Sequence, residues 1–267
     1  MSSGYVHPGA WEDDGKDHLF SARAKLAKTD RLVVLVDNTC LRWGITHRTN
    51  VLPLGSREWG GEAFEAFVTQ RRPLSANPDA ELNLRHIVGI AQLARESLLD
   101  AKSYWLLRGE RTYKAILRQR TVMDFDAWQD VELQDVDDPL ELGGIKIARD
   151  ILGLSAGYSL NVDGEPTRNS RHALEQMVKM NRDARFLEIW AALGSHQKMS
   201  FDAHHIWFAE KHGCAIFLTY DTKLLNVWNS VLRSRKNPQC AVRVLSPSTL
   251  GGELSIDPPR LRQASWW

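Results

Sequence analysis

Five consecutive apolar residues, Leu32 to Val36, restrict the fold of this chain more than any other segment. Three of the five are valine, and β-branched residues favour strands. A strand that is apolar at every position has both faces buried, as in a central strand of a parallel sheet with helices on each side. The run therefore predicts the middle of an α/β domain, and Asp37 directly follows it.

A second buried strand is expected in the last quarter of the chain, over 214–219. A helix over 201–212 precedes it, with Ser200 as the expected N-cap and Gly213 as the terminating glycine. The next expected elements are a helix over 223–233 and a strand over 241–245 that leads to Ser246-Pro247. Strands that alternate with helices imply a mostly parallel, doubly wound sheet flanked by helices.

The remaining segments have weaker patterns. Helices are expected at 20–28, 61–72, 84–99, 109–119, 143–160 and 170–194, with a strand over 101–107. The stretch 124–141 has eight acids and no base, which indicates a linker or a solvated loop. The predicted organisation is an N-terminal arm and short helix (1–28), an α/β domain (29–255) with insertions near 44–83 and 120–195, and a C-terminal tail (256–267).

Composition excludes several classes of protein. No apolar run is long enough for a transmembrane helix, and the polar first residues do not indicate a signal peptide. Cys40, Cys214 and Cys240 are odd in number and widely spaced, which suits a reducing compartment better than a disulfide framework. We therefore expect a cytoplasmic protein without a membrane partner.

Three acids occupy the places where ligands bind in such sheets, beyond the carboxyl ends of the strands. Asp37 ends the first strand, Asp221 lies two residues past Thr219, and Asp202 opens the helix before that second strand. Each acid alone has a simpler interpretation, because aspartate is a favoured N-cap. All three together, around two buried strands, indicate a shared site.

Electrostatic repulsion gives the reason for a cation there. Several carboxylates within a few ångströms cannot all stay ionised unless a cation or protons compensate their charge. Mg²⁺ or Mn²⁺ suits oxygen ligands, keeps several waters and shares its remaining positions with phosphate oxygens. The acids, the metal and a phosphodiester form one consistent set.

Four segments resemble the PIN-domain family. They are VLVDNT at 34–39, FDAHHIWFAEKHG at 201–213, IFLTYDTKLL at 216–225 and VLSPST at 244–249. The third is the most specific, because it contains the pattern of a strand, Thr-x-Asp and Lys-Leu-Leu. The resemblance covers about 60 residues, mainly 31–43 and 200–250.

This resemblance implies a PIN-like fold and a Mg²⁺- or Mn²⁺-dependent endoribonuclease. It assigns Asp37, Asp202 and Asp221 to the first, third and fourth acidic positions of the family. Thr219 matches the hydroxyl residue that helps to hold the acidic edge, and Asn38 or Thr39 is expected to touch the metal shell through water.

The second acid of the family, a glutamate on the helix after the second strand, has two candidates. If the second strand is 101–107, the match is Glu110; if it is RHIVGI at 85–90, the match is Glu96. We favour Glu110 and keep Glu96 as the alternative.

The net charge of +1 gives no general excess of positive charge for binding a polyanion. Local bases are the candidates for nucleic-acid contact: Arg233, Arg235, Lys236, Arg118 and Arg120. RNA is the expected partner. The alternatives are a DNA nuclease of the same fold, with single-stranded DNA as a further substrate, and a catalytically inactive scaffold. An inhibitor or antitoxin protein and a homo-oligomer are further candidate partners.

Overall fold

The computed structural model describes residues 11–73, 77–104, 107, 125–136, 183–195, 199–235, 237–262 and 265–266. In chain order the elements are α1 (Phe20–Leu26), β1 (Leu32–Val36), α2 (Asn38–Trp43), β2 (Ile45–Trp59), β3 (Glu62–Pro73), α3 (Pro78–Arg95), β4 (Leu99–Ser103), β5 (Phe125–Asp126), β6 (Gln134–Asp135), α4 (Ala184–Ala192), α5 (Ser200–Lys211), β7 (Ile216–Leu218), α6 (Thr222–Leu232), β8 (Arg243–Leu245), α7 (Pro247–Leu254) and β9 (Ser265–Trp266).

The valine-rich run forms β1, and this strand lies at the centre of a five-stranded parallel sheet. The order across the sheet is β6-β4-β1-β7-β8, and all four neighbouring pairs are parallel. Numbered along the chain, these strands run 3-2-1-4-5, so the direction of winding reverses between β1 and β7. The predicted α/β class, with a parallel sheet flanked by helices, is confirmed.

Alternate residues of β1 enter two separate cores, as a strand buried on both faces requires. Val34 and Val36 pack with α1, α2, α3 and α7 on one face. Leu35 packs with α4, α5 and α6 on the other. In the part of the chain that the structure describes, the domain therefore has three layers, helices–sheet–helices.

The segment predicted as a helix over 61–72 is instead β3, so that prediction was wrong. β2 and β3 form a long antiparallel hairpin, closed where Trp59 pairs with Glu62. Gly60 and Gly61 connect them with φ values of +64° and +84°. Two-residue hairpin turns favour positive φ at both positions, and glycine adopts it without strain. The Gly-Gly pair was the signal for this hairpin. The short strands β5 and β9 pair only with its base, completing a second sheet in the order β5-β2-β3-β9.

Other boundaries also differ from the predictions. The strand expected at 101–107 is β4 and begins at Leu99, and the RHIVGI segment is part of α3. The acidic stretch is not only a loop, because it contributes β5 and β6 and buries Ala127 and Trp128. Ser200 is the first residue of α5 rather than its cap, which is Met199. Gly213 ends α5 as predicted, with a φ of +66°.

Described residues from the predicted N-terminal arm and C-terminal tail pack against each other. Trp11 forms a β-bridge with Leu261, and Leu261 is buried. His18 bonds the Asp257 carbonyl through Nδ1 and the Asp14 carboxylate through Nε2.

The predicted helices over 109–119 and 143–160 lie outside the described residues, and only α4 represents the one over 170–194. Within the described part of the chain, no helix is both long and apolar enough to span a membrane.

Candidate functional site

Asp37 lies at the carboxyl end of β1, where the winding of the sheet reverses and where ligands bind in open α/β sheets. It occupies the N-cap position of α2, but its side chain caps no backbone N–H. The Thr39 hydroxyl instead donates to Asp37 Oδ2 at 2.5 Å, and the Thr219 hydroxyl donates to the same oxygen at 2.7 Å. Asp37 is buried, with 7% of its surface exposed. Two threonines therefore fix the orientation of a buried carboxylate.

The same hydroxyls join the loops after β1 and β7. Thr39 Oγ1 accepts from the Tyr220 N–H at 2.9 Å, and Thr219 Oγ1 accepts from the Asp221 N–H at 3.0 Å. The two hydroxyl oxygens lie 3.2 Å apart. Each threonine thus donates to Asp37 and accepts from the backbone of the second loop. This network brings together Asp37, Thr39, Thr219 and the backbone of Asp221.

Asp221 is the N-cap of α6, a position in which aspartate is favoured. Its Oδ1 accepts from the N–H groups of Lys223 at 2.9 Å and Leu224 at 3.0 Å, and so caps α6. The capping interpretation therefore holds for one carboxylate oxygen. Oδ2 receives no hydrogen bond from the described residues, so this oxygen is available to a ligand.

Asp202 lies in the first turn of α5 and is half-buried. The helix leads through residues 212–215 into β7, so its first turn is near the carboxyl end of that strand. His205, one turn later, is buried with its ring 5.8 Å from that of Phe217. Residues three apart share a helix face. Asp202 therefore lies on the face of α5 that is turned towards the sheet.

The described residues contain no group of three or more His, Cys, Asp or Glu side chains that could hold a metal ion. The convergence of Asp37, Asp202 and Asp221 on one ion is therefore not seen in this structure and stays a prediction. Two carboxylates can still suit Mg²⁺, because this ion commonly binds one or two carboxylates and retains several waters.

The two candidates for the family's second acid have different outcomes. Glu110 lies outside the described residues. Glu96 follows α3 and precedes β4, so it is at the opposite end of the sheet from Asp37. There it accepts from Arg23 at 2.7 and 2.8 Å and from Gln92 at 2.8 Å. Burial alone would raise the pKa of Glu96, but these hydrogen bonds outweigh burial and lower it. The alternative assignment to Glu96 is wrong.

The sequence patterns did not identify Tyr220 and Asp79 as residues beside the acidic edge, the end of the sheet that contains Asp37 and Asp221. The Tyr220 ring meets Trp43 edge-on, with 5.5 Å between ring centroids. Burial raises the pKa of Tyr220, and the nearby carboxylate of Asp79 raises it further. Asp79, in the first turn of α3, is therefore a further acid near this edge. The sequence feature that could have indicated this helix start is Asn77-Pro78-Asp79. Asn77 caps α3, and proline is favoured at the first position of a helix.

The bases proposed to guide the substrate are not beside Asp221. Arg233 and Arg235 are exposed, but they follow the end of α6, whose 11 residues extend about 16 Å from its start. They therefore lie towards the other end of the sheet, and their predicted place on the approach to the acids is wrong. Lys236, Arg118 and Arg120 lie outside the described residues.

No family model, curated protein or solved structure matches the chain.

Proposed function

We propose that the chain is a PIN-like, Mg²⁺- or Mn²⁺-dependent endoribonuclease that hydrolyses phosphodiester bonds at the edge containing Asp37, Thr39, Thr219 and Asp221. One observation supports this above all others. A buried carboxylate, at the point where the sheet reverses its winding, is held by two hydroxyls rather than by a base.

This arrangement suits a cation because the charge of Asp37 is otherwise poorly compensated. Burying a carboxylate without a counter-charge is costly. Among the described residues, no lysine or arginine pairs with Asp37. A structural carboxylate at such a depth is usually paired with a base, and even the less buried Glu96 is paired with Arg23.

The donor atoms also favour a hard divalent ion. Both threonine hydroxyls bond Oδ2 of Asp37, and within the described part of the chain Oδ1 receives no donor. Oδ1 of Asp37 and Oδ2 of Asp221 would hold the ion, with Asp202 reaching it through water. A bound ion of this kind neutralises phosphoryl oxygens and makes a water molecule more acidic. The threonines keep the carboxylate of Asp37 from rotating away.

The test is cleavage of RNA and DNA oligonucleotides of the same sequence by Asp37→Asn and Asp221→Asn, with and without Mn²⁺. We expect both variants to lose Mn²⁺-dependent cleavage, since each loses an anionic ligand, and to keep the parent's circular dichroism spectrum. Asp30→Asn is the matched control, because Asp30 is an exposed acid at the opposite end of β1. It should cut like the parent.

The outcomes separate the three candidate functions. Metal-dependent cleavage of RNA over DNA supports the ribonuclease, and the reverse preference supports a DNA nuclease. Absence of cleavage by the parent, together with nucleic-acid binding, identifies an inactive scaffold. Parent-like cleavage by both aspartate variants would remove these residues from the site.

A further inference from the structure

A buried tyrosine contacts two adjacent histidines on the side of the sheet covered by α5. Tyr104 directly follows β4 and is fully buried. Its hydroxyl lies 3.1 Å from Nδ1 of His204 and also makes a short hydrogen bond to Nδ1 of His205. Both histidines are buried in α5. One hydroxyl therefore connects the end of a strand to two consecutive residues of a helix.

The number of available protons fixes the direction of these hydrogen bonds. A tyrosine hydroxyl has one proton, so it can donate to only one of the two nitrogens, and the other must donate to it. His204 Nε2 is buried without a hydrogen-bond partner. A proton on that nitrogen would be a buried, unsatisfied donor. His204 therefore donates from Nδ1 to Tyr104, and Tyr104 donates to Nδ1 of His205.

This direction requires both imidazoles to be neutral and to differ in tautomer. His204 has its proton on Nδ1, and His205 has its proton on Nε2. A second proton on His204 would lie on Nε2, where it would be a buried donor without a partner. The neutral form of His204 is therefore the stable one in the fold.

Apolar packing alone does not explain this polar chain. The Tyr104 ring stacks on Phe208, with 4.0 Å between centroids, and a phenylalanine at position 104 would make the same stack. Buried polar groups cost free energy unless they are satisfied, whereas satisfied networks specify one arrangement of the elements that they join. The arrangement specified here is the position of α5 against the end of β4.

That position is level with the acidic edge. Leu35 of β1 aligns with Lys102 of β4, so the same register places Tyr104 beside Asp37. Asp202 is three residues before His205 and shares its helix face. We propose that Tyr104, His204 and His205 are positioning residues that fix the first turn of α5, so that Asp202 faces the edge containing Asp37. This inference rests on the proposed nuclease function.

The test compares Tyr104→Phe with the parent in Mn²⁺ titrations of RNA cleavage. We expect the Mn²⁺ concentration for half-maximal cleavage to rise about 10- to 100-fold, the usual effect of losing a residue that orients a metal ligand. The KM for RNA at saturating Mn²⁺ should stay unchanged. Phe208→Leu is the matched control, because it removes the stack on Tyr104 but keeps the hydroxyl. It should lower stability without shifting the Mn²⁺ requirement.

A second pair of variants covers the case in which Tyr104→Phe does not fold. In His205→Asn, the amide oxygen lies close to the place of Nδ1 and can accept from Tyr104, whereas His205→Leu has no acceptor. We expect the Mn²⁺ requirement of the asparagine variant to be near that of the parent, and that of the leucine variant to rise as in Tyr104→Phe. Imidazole ¹⁵N chemical shifts should show the two different tautomers in the parent without reference to activity.

Each contrary result has a defined meaning. An unchanged Mn²⁺ requirement in Tyr104→Phe and His205→Leu, while Asp37→Asn is inactive, would overturn the positioning role and leave the nuclease proposal intact. The same tautomer at His204 and His205 would overturn the hydrogen-bond chain itself. Parent-like cleavage by Asp37→Asn would overturn the nuclease proposal and this inference with it.

Discussion

The parallel sheet and the β2–β3 hairpin are both built from strands, but they are stabilised in opposite ways. The parallel strands have at most five residues and pair with distant segments, and the central strands β1 and β7 are buried on both faces. The hairpin strands have 15 and 12 residues and pair with each other through a two-residue turn. The described side chains near its tip, at 53–58 and 60–65, are exposed. Long strands therefore do not indicate the centre of this fold, whereas short, fully apolar ones do.

The largest expected difference in the free energy of unfolding is between alanine substitutions of two phenylalanines. Phe217 in β7 is fully buried, whereas Phe64 in β3 is 46% exposed. Phe217→Ala should lower the free energy of unfolding by about 3–5 kcal/mol, because it leaves a cavity in the core. Phe64→Ala should change it by less than about 0.5 kcal/mol. Urea denaturation of both variants measures the difference, and equal losses would show that the hairpin is part of the cooperative core.

A smaller contrast tests how tightly the layer beside the parallel sheet is packed. A Cβ atom at Gly251 in α7 would lie 1.8 Å from Cδ2 of His86 in α3, whereas one at Gly252 would meet nothing within 4 Å. Gly251→Ala should cost about 1–3 kcal/mol through overpacking. Gly252→Ala should stabilise the helix by up to about 1 kcal/mol. Thermal unfolding measures both, and a gain in stability from Gly251→Ala would contradict the close contact of α3 with α7.

The smallest expected effect comes from shortening the hairpin. Val51 pairs with Thr69, so residues 52–68 can be replaced by an Asn-Gly turn without disturbing the pairs at the base. An isolated two-stranded hairpin is marginally stable, so its distal part should contribute less than about 1 kcal/mol to the unfolding of the domain. Chemical denaturation of the shortened protein, beside the parent, checks this value. A loss comparable to that of Phe217→Ala would refute the separation of the two regions.

The same comparison explains what the sequence could predict. β1, β7, α5 and α6 were recognisable because their burial is encoded locally, as an apolar run or a helical repeat. The hairpin was missed because Phe64 and Phe67 are three residues apart, a spacing that also suits a helix. The decisive feature was the Gly60-Gly61 pair, which depends on backbone conformation rather than on hydrophobic pattern.

The candidate site was predictable only in part, for a related reason. The sequence placed Asp37, Asp221 and Thr219 at strand ends, and the structure joins them through hydrogen bonds. The sequence could not show that Thr39 and Thr219 donate hydrogen bonds to the same oxygen of Asp37, because this arrangement depends on the pairing of β1 with β7. The error over Arg233 had a simpler source. Nearness to Asp221 in sequence was taken as nearness in space, although a helix separates them.

The hydroxyl network also determines when the acidic edge can form during synthesis. Asp37 and Thr219 are separated by 182 positions in the chain. A nascent chain on the ribosome therefore displays Asp37 long before the strand that supplies Thr219 and Asp221 has been translated. Until then the carboxylate lacks one of its two threonines and the second acidic loop. If the protein cuts RNA, this order of synthesis keeps the incomplete chain harmless to the messenger and ribosomal RNA beside which it is made.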